Sequence, residues 1–541
     1  MSYHRGIMRN RGIPAAAVVV IVCAAVGGLF GGHVAATQDR ITERYRIYTA
    51  ALAAIENEYV EEVEASQVIY SSIDGMLRTL DPHSSFFDPQ MYARMRERQQ
   101  GSYYGLGITI QPATGGIAVV SVFENSPAFR VGLRRGDVIA RIEDHSAEGY
   151  TSEQAVAELK GPKGTKVNIG VRRPGVEEEI ALTVERDEVH IVTIPAAFMV
   201  QPGTGYVRLQ DFSDTTNQEL TAALKKLSAE GMQRLVLDLR ENPGGPLRQA
   251  IEVSSQFLHK GQMVVYTRGR IAHSDEDYRV QVEGAYTDLP LVVLVNRDSA
   301  SASEIVSGAM QDHDRGVIAG ETTFGKALVQ SVYEIANRSA VALTTAHYYT
   351  PSGRVIQRPW DASFDEYLTY KEREQSEPRA HAESELKYTD AGRKVYGGGG
   401  IEPDYFMPGA DDGFNPSRFS RGLIGRSVEF ARRFTGRGDT RPGSLQTGAV
   451  HTVEPGWTLT DEIVAEFKQM LVERGVKIDE AAFQADLDFI KAKLRFEIDS
   501  ELFGAEEARR NLASVDPQLQ GALDLFDEAQ LLLKGEALAS R

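Results

Sequence analysis

The stretch Leu291–Asp312 reads LVVLVNRDSASASEIVSGAMQD. Its opening LVVLVN is an unbroken apolar run ending at Asn296, the length and character of a strand buried on both faces. Its last nine residues, EIVSGAMQD, read as a helix, and Ser299, Ser301 and Ser303 alternate through the turn between the two. The same order of strand, loop and helix occurs upstream in LVLDLRENPGGPLRQA (Leu235–Ala250). There the helix continues with an apolar stripe at Leu247, Ala250, Ile251, Phe257 and Leu258. GYVRLQDF (Gly205–Phe212) reads as another buried strand, and SAVALTTAHYYTPSG (Ser339–Gly353) returns to strand. This alternation over residues 189–408 predicts an α/β core with parallel strands and crossover helices.

On either side the texture differs. Residues 39–100 repeat apolar residues at three- and four-residue spacing, in ITERYRIYTAALAAIENEYVEEV and ASQVIYSSIDGMLRTL, until DPHSSFFDP breaks the pattern. They predict a packed helical hairpin, with an assembly arm as the alternative. Residues 101–188 are short alternating strands with glycine punctuation. Their run YYGLGITIQ, GIAVVSVF, SPAFRVGLRRGDVIARI resembles a PDZ domain. That resemblance implies that Gly105, Leu106, Gly107 and Ile108 form a carboxylate-binding loop. Glycines let successive N–H groups converge on one anion, and the next strand edge can pair with an extended peptide. The helix around Ala155, Val156 and Leu159 would wall the groove, which points to apolar C-terminal tails as guests. Residues 409–452, polar and glycine-rich around FTGRGDTRPGSLQTG, read as a linker, and residues 453–541 as amphipathic helices.

A chain of 541 residues implies three or four domains. A formal charge of -17 argues against a sequence-independent grip on nucleic acid, which needs clustered cations. In residues 1–38, Arg5, Arg9 and Arg11 precede an uncharged run from Ile13 to Gly32, and Val34 and Ala36 supply a small-residue cleavage site. This predicts a secretory signal or an uncleaved membrane anchor, and so an exported, periplasmic or membrane-anchored chain. Cys23, the single cysteine, lies inside that run. The exported part then has neither disulfide nor thiol nucleophile. The 11 histidines are scattered without ligand spacing, and no metal or other cofactor is expected.

Two features carry chemistry. Asn242, Pro243, Gly244 and Gly245 sit where a strand gives way to a helix, a place that exposes N–H groups and suits an oxyanion hole or an ordinary tight turn. GETTFGKALVQ (Gly320–Gln330) has the spacing Gly320-x-x-x-x-Gly325-Lys326 of a phosphate-binding loop. Such a loop needs Ser or Thr after its lysine to hold Mg²⁺, and here that residue is Ala327.

GMLRTLDPHSSFF, a PDZ domain, DLRENPGG, SASASEI, TFGKALVQ and GGGGIEPD, in that order, resemble the tail-specific or C-terminal processing peptidases. The resemblance spans residues 45–408. It implies a crotonase-like α/β protease core with an inserted PDZ domain, a helical N-terminal region and a helical C-terminal extension. It further implies Ser301 as nucleophile, Lys326 as general base, Gln330 as the residue that positions the base, and Asp312 as a member of a charge-relay scheme. The family commonly has glycine at the place of Ala327. Physical chemistry supports a Ser–Lys pair beside the resemblance, since no histidine flanks either junction. Free lysine titrates near ~10.4, so holding it neutral at pH 7 costs roughly 4–5 kcal/mol. The apolar Phe324, Ala327, Leu328 and Val329 favour that by desolvation. Neutral lysine can then take the Ser301 proton, with the N–H of Ala302 and of Gly244 or Gly245 holding the oxyanion. The expected partners are proteins or peptides with apolar tails, and a membrane if the anchor stays. The helices before the PDZ domain and after Pro416 are the natural candidates for self-assembly into a homo-oligomer, and an adaptor protein is a further partner. The alternative reading is a secreted PDZ scaffold with an inert core.

Overall fold

The computed structural model describes residues 42–123, 125–173, 176–360, 367, 370, 381–408, 418–435 and 453–536. The segment read as signal or anchor lies outside them, as does much of the linker. The chain divides into two units, Met1–Asp88 with Glu334–Ala342 and Pro89–Tyr333 with Leu343–Arg541.

In the smaller unit residues 42–58 are helical, and a second helix, Ala65–Leu77, follows. The Tyr48 and Ser72 hydroxyls hydrogen-bond across the two. The strand Ser85–Phe87 pairs antiparallel with Ala340–Ala342, and the Phe86 ring lies 4.9 Å from that of Tyr70. Two consecutive helices stand where a packed hairpin was expected, but the first is exposed almost throughout, Tyr45, Ile47 and Ile55 included.

The larger unit is built on a six-stranded sheet in the order Ala196–Gln201, Thr204–Arg208, Arg234–Asp238, Leu291–Val295, Val317–Gly320, Tyr405–Phe406. Its first pair is antiparallel and the rest are parallel. The strand Leu291–Val295 shows why an unbroken apolar run was needed. Leu291, Val293 and Val295 face one core, where the helices Thr216–Ala229, Leu247–Ser255 and Ala302–Asp312 supply Leu220, Leu224, Val253, Ile305 and Met310. Val292 and Leu294 face a second core with Phe198, Tyr206, Val236 and Val317.

That second face is covered from the far end of the chain. Leu519, Ala522, Phe526, Ala529 and Leu532, on the helices Pro517–Leu523 and Phe526–Leu533, pack against it. Fully burying a side chain such as Phe or Leu is worth ~1.5–3 kcal/mol, so the extension is a structural layer of the core and not an appendage. The helical part also begins earlier than the sequence pattern indicates. Arg418–Thr435, inside the segment read as linker, is a helix whose Phe430 and Phe434 are buried with Phe467, Phe483 and Leu494. The glycine- and arginine-rich surroundings of these residues hid an i, i+4 aromatic pair that has a partner surface.

A second sheet contains Met263–Gly269, Glu276–Arg279 and Ala340–Tyr349, with Leu328–Glu334 beside the last. The PDZ domain is a sheet in the order Ile108–Ala113, Gly116–Val122, Val138–Ile142, Lys166–Arg172, Ile180–Glu185, so Ile108–Ala113 is an edge strand. The helix Ser152–Leu159 is started by a Thr151/Gln154 capping box. The domain leaves and re-enters the core through the antiparallel strands Ser102–Gly105 and Asp187–His190.

Candidate active site

Three segments converge at the ends of the parallel strands. The first follows Arg234–Asp238. Asp238 is wholly buried and accepts from Arg208, Arg240 and the Tyr206 hydroxyl, each at 2.7 Å. Burial would raise its pKa, but the two guanidinium groups overcome this and hold it ionised well below the usual carboxylate range. Arg240 reaches on to Asp516 at 2.7 Å and Gln518 at 2.9 Å, which ties the start of this loop to the C-terminal helices. Next comes Asn242, also wholly buried. Its side chain donates to Leu209 O at 2.9 Å and accepts the Gly244 N–H at 2.8 Å. Gly244 has φ +90, and a Cβ there would lie 2.7 Å from Ala302 N and 2.9 Å from Ser301 Cβ, so only glycine fits. Gly245 is pressed against the Phe212 backbone.

The second segment is the serine turn. The Ser299 hydroxyl donates to Leu239 O at 2.8 Å, and the Ser303 hydroxyl to Asn242 O at 3.0 Å, the same carbonyl that accepts the Ala300 N–H at 3.0 Å. Two of the three serines thus bind the turn to the glycine loop. The middle one, Ser301, differs. It stands at the N-cap of Ala302–Asp312 with φ 54 and ψ -111, a strained conformation for a residue with a side chain. Ala302 N–H opens that helix and so has no intrahelical acceptor.

The third segment runs from Gly320, the end of a strand, to Gln330 in the strand Leu328–Glu334. A phosphate-binding loop would open a helix instead. Here the N–H groups of Gly325 and Lys326 point at a carboxylate of the protein itself. Glu304, wholly buried on the helix that Ser301 caps, accepts from Ser301 N at 2.8 Å, Lys326 N at 2.9 Å, Gly325 N at 2.7 Å and the Thr323 hydroxyl. Its Oε2 atom touches the main-chain nitrogens of both Ser301 and Lys326. Burial pushes the Glu304 carboxyl up, and those donors pull against it. On the other side the buried Tyr348 hydroxyl bonds the carbonyls of Ser301 and Lys326. The half-buried Lys326 side chain donates from Nζ to Gln330 Oε1 at 3.0 Å. Gly325, at φ +90, turns the chain just before Lys326, and Gln330 lies in the strand that begins at Leu328.

The structure thus gathers Ser301, Ala302, Lys326, Gln330, Gly244 and Gly245. It does not bring Asp312 to them. That residue ends the 11-residue helix begun by Ala302, about 16 Å along the axis from Ser301. Its carboxylate is ion-paired with buried Arg354 and accepts the Ser352 N–H at 2.9 Å. Glu304 is the residue that sequence reasoning passed over. Ser301-x-x-Glu304 has the form of a helix cap, and only the folded chain shows that the same carboxylate also reaches Gly325 and Lys326. In the PDZ domain Leu106, Ala155 and Leu159 belong to the buried core, while Ile108 and Val156 are half-buried between edge strand and helix. Among the described residues no His, Cys, Asp and Glu cluster could hold a metal ion.

An α/β core with a glycine loop, a strained serine at a helix start and a lysine whose main chain shares the Glu304 carboxylate with it, plus a PDZ domain, is the arrangement of a serine-type peptidase. Comparison with known proteins agrees. Residues 203–360 match the model of peptidase family S41 and residues 105–184 that of a PDZ domain. The chain is 38% identical over 307 residues to the carboxy-terminal-processing protease of Bartonella bacilliformis, covering 56% of this chain and 70% of that protein. It is 36% identical over 295 residues to the carboxyl-terminal-processing protease of Synechocystis, covering 53% and 68%. A solved structure, the photosystem II D1 C-terminal processing protease, aligns at TM-score 0.34 and 28% identity over 66% of this chain and 86% of that one. This chain belongs to the carboxy-terminal processing proteases of peptidase family S41.

Proposed function

We propose that the chain is an exported endopeptidase that captures proteins by apolar C-terminal tails in its PDZ groove and cleaves them through an acyl-enzyme on Ser301. Ser301 Oγ attacks the scissile carbonyl carbon while its proton passes to neutral Lys326 Nζ, which Gln330 holds. The developing oxyanion takes the N–H of Ala302 and that of Gly245, since Asn242 already occupies the N–H of Gly244. Collapse of the tetrahedral intermediate breaks the C–N bond, and the leaving amine takes the proton from Lys326. Water then attacks the ester by the same route in reverse, releasing the new carboxyl end and restoring Ser301.

The observation that carries this reading is the single Glu304 carboxylate bonded to the main-chain N–H groups of both Ser301 and Lys326. Export is supported by the arginine-flanked apolar run before residue 38. The test is proteolysis of an unfolded protein with and without an apolar C-terminal tail. Ser301→Ala and Lys326→Ala are each expected to abolish cleavage while tail binding persists. Wild-type turnover in either variant would overturn the assigned roles. A wild-type chain that binds the tail but never cuts would be a PDZ binding protein with an inert core. Amino-terminal sequencing of the secreted chain checks export.

A further inference from the structure

The glycine run Gly397–Gly400 lies against the loop that precedes Lys326. Gly400 has φ +99, and a Cβ there would meet Thr323 O at 2.4 Å, so only glycine permits the approach. Arg358 stands between run and loop. Its guanidinium donates from Nη2 to Gly399 O on one side and to Thr323 O at 3.4 Å on the other, and from Nε to Phe324 O at 2.9 Å. Its own main-chain N–H donates to Gly325 O at 2.8 Å. The carbonyls of three consecutive residues before the lysine therefore end on one arginine.

The N–H groups of the same peptide units end elsewhere. A trans peptide is planar with C=O and N–H on opposite edges, so holding both edges fixes the rotation of the unit. The unit joining Thr323 to Phe324 has its carbonyl on Arg358 and its N–H on Ser299 O at 3.0 Å, in the serine turn. The next two, which lead to Gly325 and to Lys326, have their carbonyls on Arg358 and their N–H groups on Glu304. The last of these ends at the Lys326 nitrogen, so the grip sets where the lysine side chain starts. The Tyr370 ring lies over the guanidinium, 3.4 Å from carbon to ring centre, and its hydroxyl donates to Thr322 O at 3.3 Å. A stacked guanidinium keeps its planar fork turned to the carbonyls beside it, which an ammonium cannot do.

We infer that Arg358 is a positioning residue for the base. It holds the carbonyl edge of the loop while Glu304 holds the N–H edge, and together they place Lys326 for its approach to Ser301. The inference rests on the reading of Ser301 as nucleophile and Lys326 as base, and it adds the residue that fixes their relation. Arg358 acts through the loop and not on the reacting atoms.

The test uses the full chain, an unfolded protein with an apolar tail as substrate, and a fluorophosphonate, which labels an activated serine without needing a tail. Arg358→Ala is expected to lower kcat about 30-fold with KM little changed, since a misplacement of about 1 Å costs up to about 100-fold. The rate of Ser301 labelling should fall in parallel. Arg358→Lys keeps the cation without the fork and is expected to lose about tenfold. It decides the matter if the alanine variant does not fold. Arg315 supplies the control, as a second buried guanidinium that donates to three carbonyls, those of Phe257, Tyr286 and Leu289. Arg315→Ala should lower the urea midpoint and leave kcat per folded molecule unchanged. Wild-type kcat and labelling rate per folded molecule in the Arg358 variants would refute the inference while the peptidase reading stands. A raised KM with kcat unchanged would refute it too, by placing Arg358 on the substrate. A wild-type chain that neither cuts nor takes the label would refute the peptidase reading, and this inference with it.

Discussion

The helix Ala302–Asp312 carries a buried carboxylate near each end, and the two are satisfied in opposite ways. Glu304, in the first turn, is met by three backbone N–H groups and a hydroxyl, none with net charge. Asp312, at the last position, is met by the guanidinium of Arg354. An ion pair neutralises both partners and welds two segments together. A carboxylate held by neutral dipoles can serve several donors at once, and Glu304 uses this to bind the Ser301 turn and the Lys326 loop to one atom. The comparison teaches that burial alone does not mark a working acid. What marks it is the set of donors it joins.

The largest expected effect breaks the Asp312 end. Asp312→Ala leaves Arg354 buried without its partner and is expected to cost about 3–5 kcal/mol in urea unfolding. The kcat of the molecules that remain folded should stay within about twofold of wild type. A hundredfold fall in kcat per folded molecule would instead restore Asp312 to the reaction. The next effect breaks the other end. Glu304→Gln puts an amide against N–H donors and loosens the placement of Lys326 against Ser301, for which about a 100-fold loss in kcat with little change in KM is expected. Circular dichroism should show the fold retained.

A smaller effect sharpens the contrast from outside the helix. Asp516→Asn removes a charge-assisted bond from Arg240 and is expected to lower stability by about 1.5–3 kcal/mol, read by thermal melting. Smallest is a pH dependence. Burial raises the Glu304 carboxyl above its ordinary 4.5, so the folded chain holds that proton more tightly than the unfolded chain. Its contribution is therefore full below pH 4.5 and lost as pH rises through the folded value. The stability margin of wild type over Glu304→Gln should narrow as pH climbs from 4.5. A margin that widens would mean the four donors outweigh burial.

Much of the site was legible because its signals are local. Ser301 and Lys326 lie in short motifs of fixed order, and glycines at 244 and 245 announce a loop that no larger residue could form. Glu304 was visible only as a capping residue, because its second set of partners lies some twenty residues away in the irregular segment before the strand Leu328–Glu334. Gln330 was legible as a partner of Lys326 only on condition that the chain brought the two side chains together, and they meet at 3.0 Å. The helix Arg418–Thr435 was hidden for a related reason, since Phe430 and Phe434 have meaning only against the surface they bury.

By itself the sequence determined that Leu291–Val295 must be covered on both faces, because five consecutive apolar residues with a two-residue period leave neither side fit for water. It determined the PDZ domain, the order of the motifs and the chemical types at the site. Only the tertiary structure decided what covers the second face, namely helices beyond residue 505, and which of two buried acids joins the Ser301 turn to the Lys326 loop. Periodicity and turn chemistry act over a few residues. The choice of a distant partner depends on shape and charge that exist only once the chain has closed on itself.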